Sequence, residues 1–221
     1  MTSNRAQSLY GRRARLYQTF FVRLLKWESV LADFFRSHPY LQSGMSILDA
    51  GCGTGSVTKT LVRLAELQKL TAITFHAFDL TPAMLEIFQD WLTEVQVQGV
   101  RLQQADVLRL DEQLSADWTG YDLIVSSAMF EYIPKEGLGR ALTQLSRRLA
   151  SSGRLLTFLT RRTRLTRWTG ARWWGTNLFS PEEFTQILRQ SGFAAVRLPS
   201  LPPKWNSFMM AVEAAAPHPK G

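Results

Sequence analysis

The sequence predicts an α/β protein built on a doubly wound, mostly parallel seven-stranded sheet with an N-terminal helical extension. Three observations carry this prediction: short apolar segments alternate with helical ones, glycines cluster after the first strand, and no long helix separates the last two strands. Alternating strands and helices imply a parallel sheet that helices cover on both faces. The last two strands imply a hairpin, and therefore an antiparallel edge. A chain of 221 residues suits one domain with one sizeable core.

The individual elements follow from local patterns of apolar residues and helix caps. Strands are predicted over residues 45–50, 72–78, 100–104, 121–126, 154–159, 194–198 and 207–214. Helices are predicted over residues 56–67, 82–95, 136–150 and 180–191. Proline stands in the first turn of the second helix and of the last one, where its missing N–H has no helical partner to lose. Ser180 is the predicted N-cap of the last helix, with Glu182 and Glu183 in its first turn.

Another helix is predicted over residues 5–36, ahead of the first strand. Apolar side chains recur there at steps of three and four residues, namely Tyr10, Ala14, Tyr17, Phe21 and Leu24. Basic side chains fall on the opposite side of the helix, namely Arg12, Arg15, Arg23 and Lys26. We therefore divide the chain into a helical cap or lid over residues 1–40 and a main domain over residues 41–221.

Charge is distributed unevenly along the chain. The whole chain has a net charge of +8, yet residues 45–146 contain 13 acidic and 7 basic residues, a net charge of −6. The two flanks together therefore carry +14. Such an excess fits contact with an acidic partner, which could be a phospholipid surface, an anionic substrate or nucleic acid. A basic, solvated surface that only maintains solubility explains it equally well.

Cysteine usage and hydropathy restrict the class further. Cys52 is the only cysteine, which excludes an internal disulfide framework and a cysteine-based zinc site. No apolar run reaches the roughly 18 residues that a membrane-spanning helix needs. We expect a cytoplasmic protein, with peripheral contact at a membrane surface as a further option. The three histidines are far apart in the sequence, and we expect no metal site.

The most informative motif is a run of alternating glycines between the first strand and the next helix. Gly51, Gly53 and Gly55 follow Asp49 at two-residue steps. Glycine there permits a positive φ and lets a ligand approach the backbone. The spacing differs from that of dinucleotide-binding proteins, because Ser56 stands where the third glycine would be. Asp49 would repel a phosphate but attract a cation.

The motif and the acids that follow later strands resemble the class I S-adenosylmethionine-dependent methyltransferases, in the branch that acts on small molecules such as ubiquinone and menaquinone precursors. The resemblance covers residues 45–160 and implies a Rossmann-like methyltransferase fold, with S-adenosylmethionine as cofactor and S-adenosylhomocysteine as product. It places Asp79 on the ribose hydroxyls, Asp106 on the adenine amino group and the amide of Val107 at the adenine ring. The full set of cofactor-binding residues implied is Asp49, Gly51, Gly53, Gly55, Asp79, Leu80, Asp106, Val107 and Ser127.

Each of these residues also has a purely structural explanation. The glycines could form an ordinary turn, Asp79 or Thr81 could cap the following helix, and Asp106 could be a loop acid. Cys52 and His76 fit packed residues better than reactive ones. The methyltransferase interpretation rests on the order of the motifs, since each comes directly after a successive strand.

The sequence offers two candidate catalytic residues and does not decide between them. Such a reaction transfers a methyl group from sulfur to an acceptor atom, and the protein mainly aligns the reactants, so a general base is optional. Tyr132 and Glu131 are the two candidates near the methyl group, and the catalytic residue remains unassigned between them. Tyr132 replaces a histidine that several small-molecule methyltransferases carry. Their structural alternatives are a lid aromatic for Tyr132 and a surface or capping acid for Glu131.

The substrate is predicted to be a small or lipid-like molecule, recognised by the parts outside the shared core. Residues 161–174 hold five Arg, three Trp and no acid, a composition typical of a membrane interface or a clamp for an anionic ligand. Alternatives are a nucleic-acid methyltransferase or a non-catalytic module that binds the cofactor. Ser126, Ser127 and Ala128 argue against methylation of base amino groups, because they lack the Asn/Asp-Pro-Pro-aromatic motif of those enzymes. The sequence gives no indication of the oligomeric state.

Overall fold

The computed structural model describes residues 27–163, 166 and 177–216. Seven strands form one sheet: β1 (Ser46–Ala50), β2 (Thr74–Asp79), β3 (Val100–Gln104), β4 (Tyr121–Ser127), β5 (Leu149–Thr160), β6 (Ala194–Arg197) and β7 (Met209–Ala215). The helices are α1 (Trp27–Ser37), α2 (Ser56–Leu67), α3 (Pro82–Glu94), α4 (Leu110–Gln113), α5 (Leu138–Ser146) and α6 (Pro181–Gln190). The predicted fold class is confirmed.

The strand order is β3-β2-β1-β4-β5-β7-β6. Strands β1 to β5 run parallel, whereas β7 pairs antiparallel with both β5 and β6. The predicted antiparallel hairpin is therefore confirmed, with β7 lying inside the sheet and β6 at its edge. The order reverses between β1 and β4, and in such sheets ligands bind beyond the carboxyl ends of the strands at that reversal.

Two apolar layers cover the two faces of the sheet. Successive residues of a strand point to opposite faces, so Leu48 joins the layer under α5 and α6, while Ile47 joins the layer under α1 and α2. Phe88 of α3 packs in a third, smaller cluster with Cys52 and Leu92. This burial on both faces holds the strand ends, and the loops that follow them, at defined positions.

Several predicted boundaries need correction. The strand predicted over residues 154–159 extends from Leu149 to Thr160, with a register shift against β4 that local sequence does not reveal. The helix predicted over residues 136–150 is Leu138–Ser146, because a separate 3₁₀ turn, Lys135–Gly137, precedes it. Ser180 does cap α6, accepting a hydrogen bond from the amide of Glu183 as predicted. Of the helix predicted over residues 5–36, residues 5–26 lie outside the described residues.

Helix α1 belongs to the predicted cap region over residues 1–40. Its buried side chains face the sheet, where Phe34 and Phe35 meet Phe158 of β5 edge to face. Edge-to-face contacts between aromatic rings stabilise the fold beyond the contribution of the apolar area that they bury. The described part of the cap region therefore packs against the core of the main domain. No helix among the described residues is long and apolar enough to cross a membrane.

Candidate cofactor site

The glycine loop lies at the carboxyl edge of the sheet, between β1 and α2. Gly51, Gly53 and Gly55 have φ angles of 68°, 54° and 85°, in the left-handed region that favours glycine. The loop is closed by two backbone hydrogen bonds: the amide of Cys52 donates to the carbonyl of Phe78, and the amide of Gly55 donates to the carbonyl of Cys52. The backbone conformation of the turn is thus sufficient reason for glycine at these three positions, whether or not a ligand binds there.

The three glycines differ in what a side chain would meet. A Cβ on Gly51 would lie 2.6 Å from the side chain of Met129, and one on Gly55 would lie 2.4 Å from the ring of Phe88. A Cβ on Gly53 would meet nothing within 4 Å. Gly51 and Gly55 thus allow close packing within the protein, whereas Gly53 opens onto free space at the loop's surface.

This difference predicts the effect of replacing Gly53 by alanine. We expect the variant to fold, although its stability should fall by roughly 1 kcal/mol because alanine is strained at a positive φ. It should bind S-adenosylhomocysteine at least tenfold more weakly, because the side-chain methyl group of the alanine enters the open space above the loop. Gly120 is the matched control, since it also has a positive φ of 74° and open space but precedes β4 at the opposite edge. Calorimetry should show normal affinity for the Gly120→Ala variant. Equal losses of affinity in both variants would contradict the placement of the cofactor at Gly53.

Asp49 is buried at the end of β1. Its Oδ2 accepts hydrogen bonds from the amide and the hydroxyl of Thr58 in α2, at 3.1 and 2.7 Å. Its Oδ1 is buried without a hydrogen-bond partner among the described residues. Burial raises the pKa of this carboxyl to about 7, and the charge of Asp79 contributes in the same direction. An unsatisfied carboxylate oxygen of this kind favours a nearby cation or hydrogen-bond donor.

Asp79 ends β2 and holds the glycine loop. Its Oδ2 accepts a hydrogen bond from the amide of Gly53 and its Oδ1 accepts one from the amide of Thr81, both at 2.8 Å. Burial raises the pKa of Asp79, against the effect of these two amides. Thr81 is the N-cap residue of α3 but makes no side-chain cap, and the Asp79 carboxylate accepts from the amide of Thr81 and not from an amide of the helix, so neither residue has the predicted capping role. The neighbouring Leu80 is exposed.

Asp106 follows β3, as the third acid in the series. Its Oδ1 accepts a hydrogen bond from the amide of Leu108 and so caps a 3₁₀ turn, Val107–Arg109. The side chain is only half-buried, and Val107 beside it is buried in the core. One oxygen of Asp106 therefore has the structural role of a loop acid. A carboxylate can accept several hydrogen bonds, so the side chain can still accept one from a ligand.

Ser127, the last residue of β4, contacts a residue that sequence reasoning missed. Its Oγ accepts a hydrogen bond from Nε1 of Trp27, at 3.1 Å. The indole ring of Trp27 also meets the rings of Phe158 and Trp205 edge to face. Helix α1 thus begins at the same edge as the glycine loop. No signal in the sequence pairs Trp27 with Ser127, because 100 residues separate them.

Met129 is a second residue that sequence reasoning missed, and it follows Ala128, which has a left-handed φ of 60°. That conformation is strained for alanine, and strain of this kind concentrates at functional sites. It brings the side chain of Met129 onto Gly51. A non-glycine residue with positive φ cannot be recognised from the sequence, whereas a methionine after β4 could have been noted as a flexible apolar contact.

Glu131 and Tyr132 form a short 3₁₀ turn, Phe130–Tyr132, after β4. The surface alternative for Glu131 is wrong, because its side chain is buried and accepts a hydrogen bond from the amide of Thr160 at 2.5 Å. Burial raises the pKa of this carboxyl to about 7. Tyr132 is partly exposed at the same edge. Of the predicted segment 161–174, only Arg161, Arg162, Thr163 and Thr166 lie within the described residues.

Two other residues have the packing roles predicted for them. His76 lies in β2, stacked on the ring of Trp118 and within 2.6 Å of the hydroxyl of Tyr121. Cys52 is buried, and burial raises the pKa of its thiol, which disfavours the reactive thiolate.

The residues at this edge fit S-adenosylmethionine. The cofactor has a vicinal diol, an adenine and a cationic sulfur. Asp79 and Asp106 offer carboxylate oxygens beside the ends of adjacent strands, Asp49 keeps one buried oxygen unsatisfied, and Gly53 leaves open space above the loop. A cluster of carboxylates suits a positively charged ligand and disfavours an anionic phosphate.

The parallel sheet, the glycine loop and the acids at the carboxyl ends of β1 to β3 define a Rossmann-like methyltransferase domain. Residues 47–153 match the family described as "Methyltransferase domain". A malonyl-[acyl-carrier protein] O-methyltransferase of Acetivibrio thermocellus is 30% identical over 147 residues, 66% of this chain and 46% of the relative. A ubiquinone biosynthesis O-methyltransferase of Nitrosococcus oceani is 32% identical over 102 residues, 46% of this chain and 38% of the relative. The matched stretches span less than half of either relative.

The fold is also similar to solved structures. Magnesium protoporphyrin IX methyltransferase from Synechocystis, solved with bound S-adenosylhomocysteine, has a TM-score of 0.60 at 19% identity, covering 86% of this chain and 82% of that one. Over residues 47–153 the chain therefore resembles the class I S-adenosylmethionine-dependent methyltransferases.

Proposed function

We propose that the protein transfers a methyl group from S-adenosylmethionine to a small-molecule or lipid-like acceptor. The observation that carries this proposal is the open glycine Gly53, held by the half-buried carboxylate of Asp79, together with the unsatisfied oxygen of Asp49 at the end of the neighbouring strand. A loop of this shape lets a ligand approach the backbone, and the carboxylate of Asp79 beside it favours a positively charged ligand. The named relatives, O-methyltransferases that act in malonyl-acyl-carrier and ubiquinone chemistry, support the same reaction class.

Each residue then has a defined task. When bound, the cofactor supplies an electrophilic methyl group on a positively charged sulfur. Asp79 would accept hydrogen bonds from the ribose hydroxyls, Asp106 would accept one from the adenine amino group, and Asp49 would face the positive charge. The backbone of Gly51 and Gly55, the amide of Val107, and the residues Leu80 and Ser127 would complete the pocket wall. Trp27 would cover the edge beside Ser127 and exclude water, which strengthens the electrostatic interactions inside.

Two measurements test the proposal. Calorimetry with S-adenosylhomocysteine should give one binding site per chain. Transfer of tritiated methyl groups should then be measured with malonyl-acyl-carrier protein, a prenylated catechol and unmodified transfer RNA as acceptors. Labelling of either of the first two supports the proposal. Binding without any labelling would favour a non-catalytic module, labelling of the RNA alone would favour a nucleic-acid enzyme, and absence of binding would end the proposal.

We also propose peripheral membrane contact through residues 161–174. The segment begins directly after β5. The amide of Arg161 donates a hydrogen bond to the carbonyl of Phe208, and its Nη1 donates one to the carbonyl of Asn206. Its five Arg and three Trp suit an anionic interface. Each basic residue near such a surface contributes about 1 kcal/mol. A lipid-like acceptor could then be taken directly from the membrane surface.

Vesicle co-sedimentation tests this contact. We expect binding to vesicles with 30% anionic lipid at low salt, little binding at high salt and little to neutral vesicles. Changing Arg164, Arg167 and Arg172 to glutamine should abolish the binding, because these changes remove three of the five positive charges. The matched control changes three exposed arginines of other elements, Arg140, Arg147 and Arg189. Equal binding of the two triple variants would defeat the role given to this segment.

A further inference from the structure

Three hydrogen bonds tie the loop after β4 to two other segments. The carboxylate of Glu131 accepts a hydrogen bond from the amide of Thr160, the last residue of β5, at 2.5 Å. The carbonyl of Glu131 accepts one from the amide of Asn177 at 2.7 Å. The side-chain Nδ2 of Asn177 donates to the carbonyl of Ile133, also at 2.7 Å. One residue of the loop is thus connected to the end of β5 and to the segment that leads into α6.

The burial of Glu131 is costly for stability. Its side chain is 5% exposed, and burial raises the pKa of the carboxyl to about 7 even though the amide of Thr160 lowers it. An apolar or amide side chain would avoid the cost of burying a group that can ionise. The carboxylate also points into the backbone of β5, which leaves it poorly placed to take a proton from an acceptor.

The loop that these bonds hold carries two residues of the site. Met129 lies against Gly51 of the glycine loop, and Tyr132 is partly exposed at the same edge. Ala128 starts the loop with its strained φ of 60°. A non-glycine residue in this region is maintained only when surrounding contacts determine its conformation. The bonds from Glu131 and Asn177 are contacts of that kind, immediately after the strained residue.

We propose that Glu131 is a positioning residue, which acts with Asn177 as a clamp that holds residues 128–134 against the glycine loop. Through Met129 the clamp sets the shape of the cofactor site, and Glu131 touches neither cofactor nor acceptor. The inference rests on the proposed function, because it assigns to the clamp an effect on cofactor binding.

The test compares Glu131→Ala, Glu131→Gln and Asn177→Ala in the full chain. Glutamine retains a carbonyl oxygen that can accept the hydrogen bond from Thr160, whereas alanine does not. We expect Glu131→Ala to bind S-adenosylhomocysteine about tenfold more weakly, Glu131→Gln to stay within about threefold of the unchanged chain, and Asn177→Ala to lose about threefold to tenfold. Glu136→Ala is the matched control, since Glu136 is an exposed acid five residues further on and should have no effect.

Amide hydrogen exchange provides the second measurement. The amide of Thr160 should exchange at least tenfold faster in Glu131→Ala than in Glu131→Gln, because only the glutamine keeps its acceptor. If the exchange accelerates and the affinity is unchanged, the clamp has no positioning role and the proposal fails. If glutamine binds as poorly as alanine, the carboxylate has a direct role and the proposal fails too. Asn177→Ala, a change at a half-buried residue, keeps the test decisive if Glu131→Ala does not fold. An unchanged chain that does not bind S-adenosylhomocysteine would instead refute the proposed function.

Discussion

Replacing Asp79 by alanine should weaken binding of S-adenosylhomocysteine by roughly 100-fold. The change removes the acceptor that the proposed site offers to the ribose hydroxyls, and hydrogen bonds to a charged group contribute about 1.5–3 kcal/mol each. It also releases the amides of Gly53 and Thr81, which the carboxylate holds at 2.8 Å. The glycine loop would therefore lose its anchor together with the ligand contact.

The controls separate these two effects. Asp79→Asn keeps one carbonyl oxygen but turns an amide group toward the second backbone N–H. We therefore expect its affinity to lie between that of the unchanged chain and that of Asp79→Ala. Asp90 is an exposed acid of the neighbouring helix α3, and Asp90→Ala should bind normally. Calorimetry measures the affinity and thermal unfolding monitors the fold. An Asp79→Ala chain that folds and binds within threefold of the unchanged one would remove Asp79 from the site.

The second large effect is a pH dependence of cofactor affinity that originates at Asp49. Burial raises the pKa of this carboxyl to about 7 in the free protein, and a bound cation lowers it. Binding of S-adenosylmethionine below pH 7 therefore releases a proton, and its affinity should rise about tenfold per pH unit between pH 5 and pH 6.5. S-adenosylhomocysteine lacks the charge on sulfur and should show a shallower rise. Calorimetry in buffers of different ionisation enthalpy measures the released proton directly.

The stability of the free protein should change in the opposite direction. The pKa of Asp49 is raised from 3.8 to about 7 by folding, so the folded state holds this proton more tightly than the unfolded chain does. The resulting stabilisation is fully present below pH 4 and is lost as the pH rises to about 7. Glu131, with its pKa raised from 4.5 to about 7, acts with the same sign. Asp49→Asn should flatten both the affinity and the stability profiles; an unchanged affinity profile would contradict the assignment.

The sequence predicted those elements best that depend on local signals. Helix α2 and strand β3 have the predicted bounds, because a glycine directly precedes each of them, Gly55 and Gly99, and their apolar residues follow the period of a helix and of a strand. Strand β5 was predicted five residues too short at its start. Its first residues pair with β4 across a register shift, and pairing of this kind depends on a partner strand that the local pattern does not describe.

The candidate site divides in the same way. The sequence by itself determined the glycine loop and the acids Asp49, Asp79 and Asp106, because each stands at or just beyond the carboxyl end of a strand and parallel strands end at a common edge. Only the tertiary structure decided that Gly53 alone of the three glycines is open, that Trp27 reaches Ser127 and that Glu131 is buried. Those facts depend on contacts between side chains up to 100 residues apart, and such contacts form only when the strands and helices have packed.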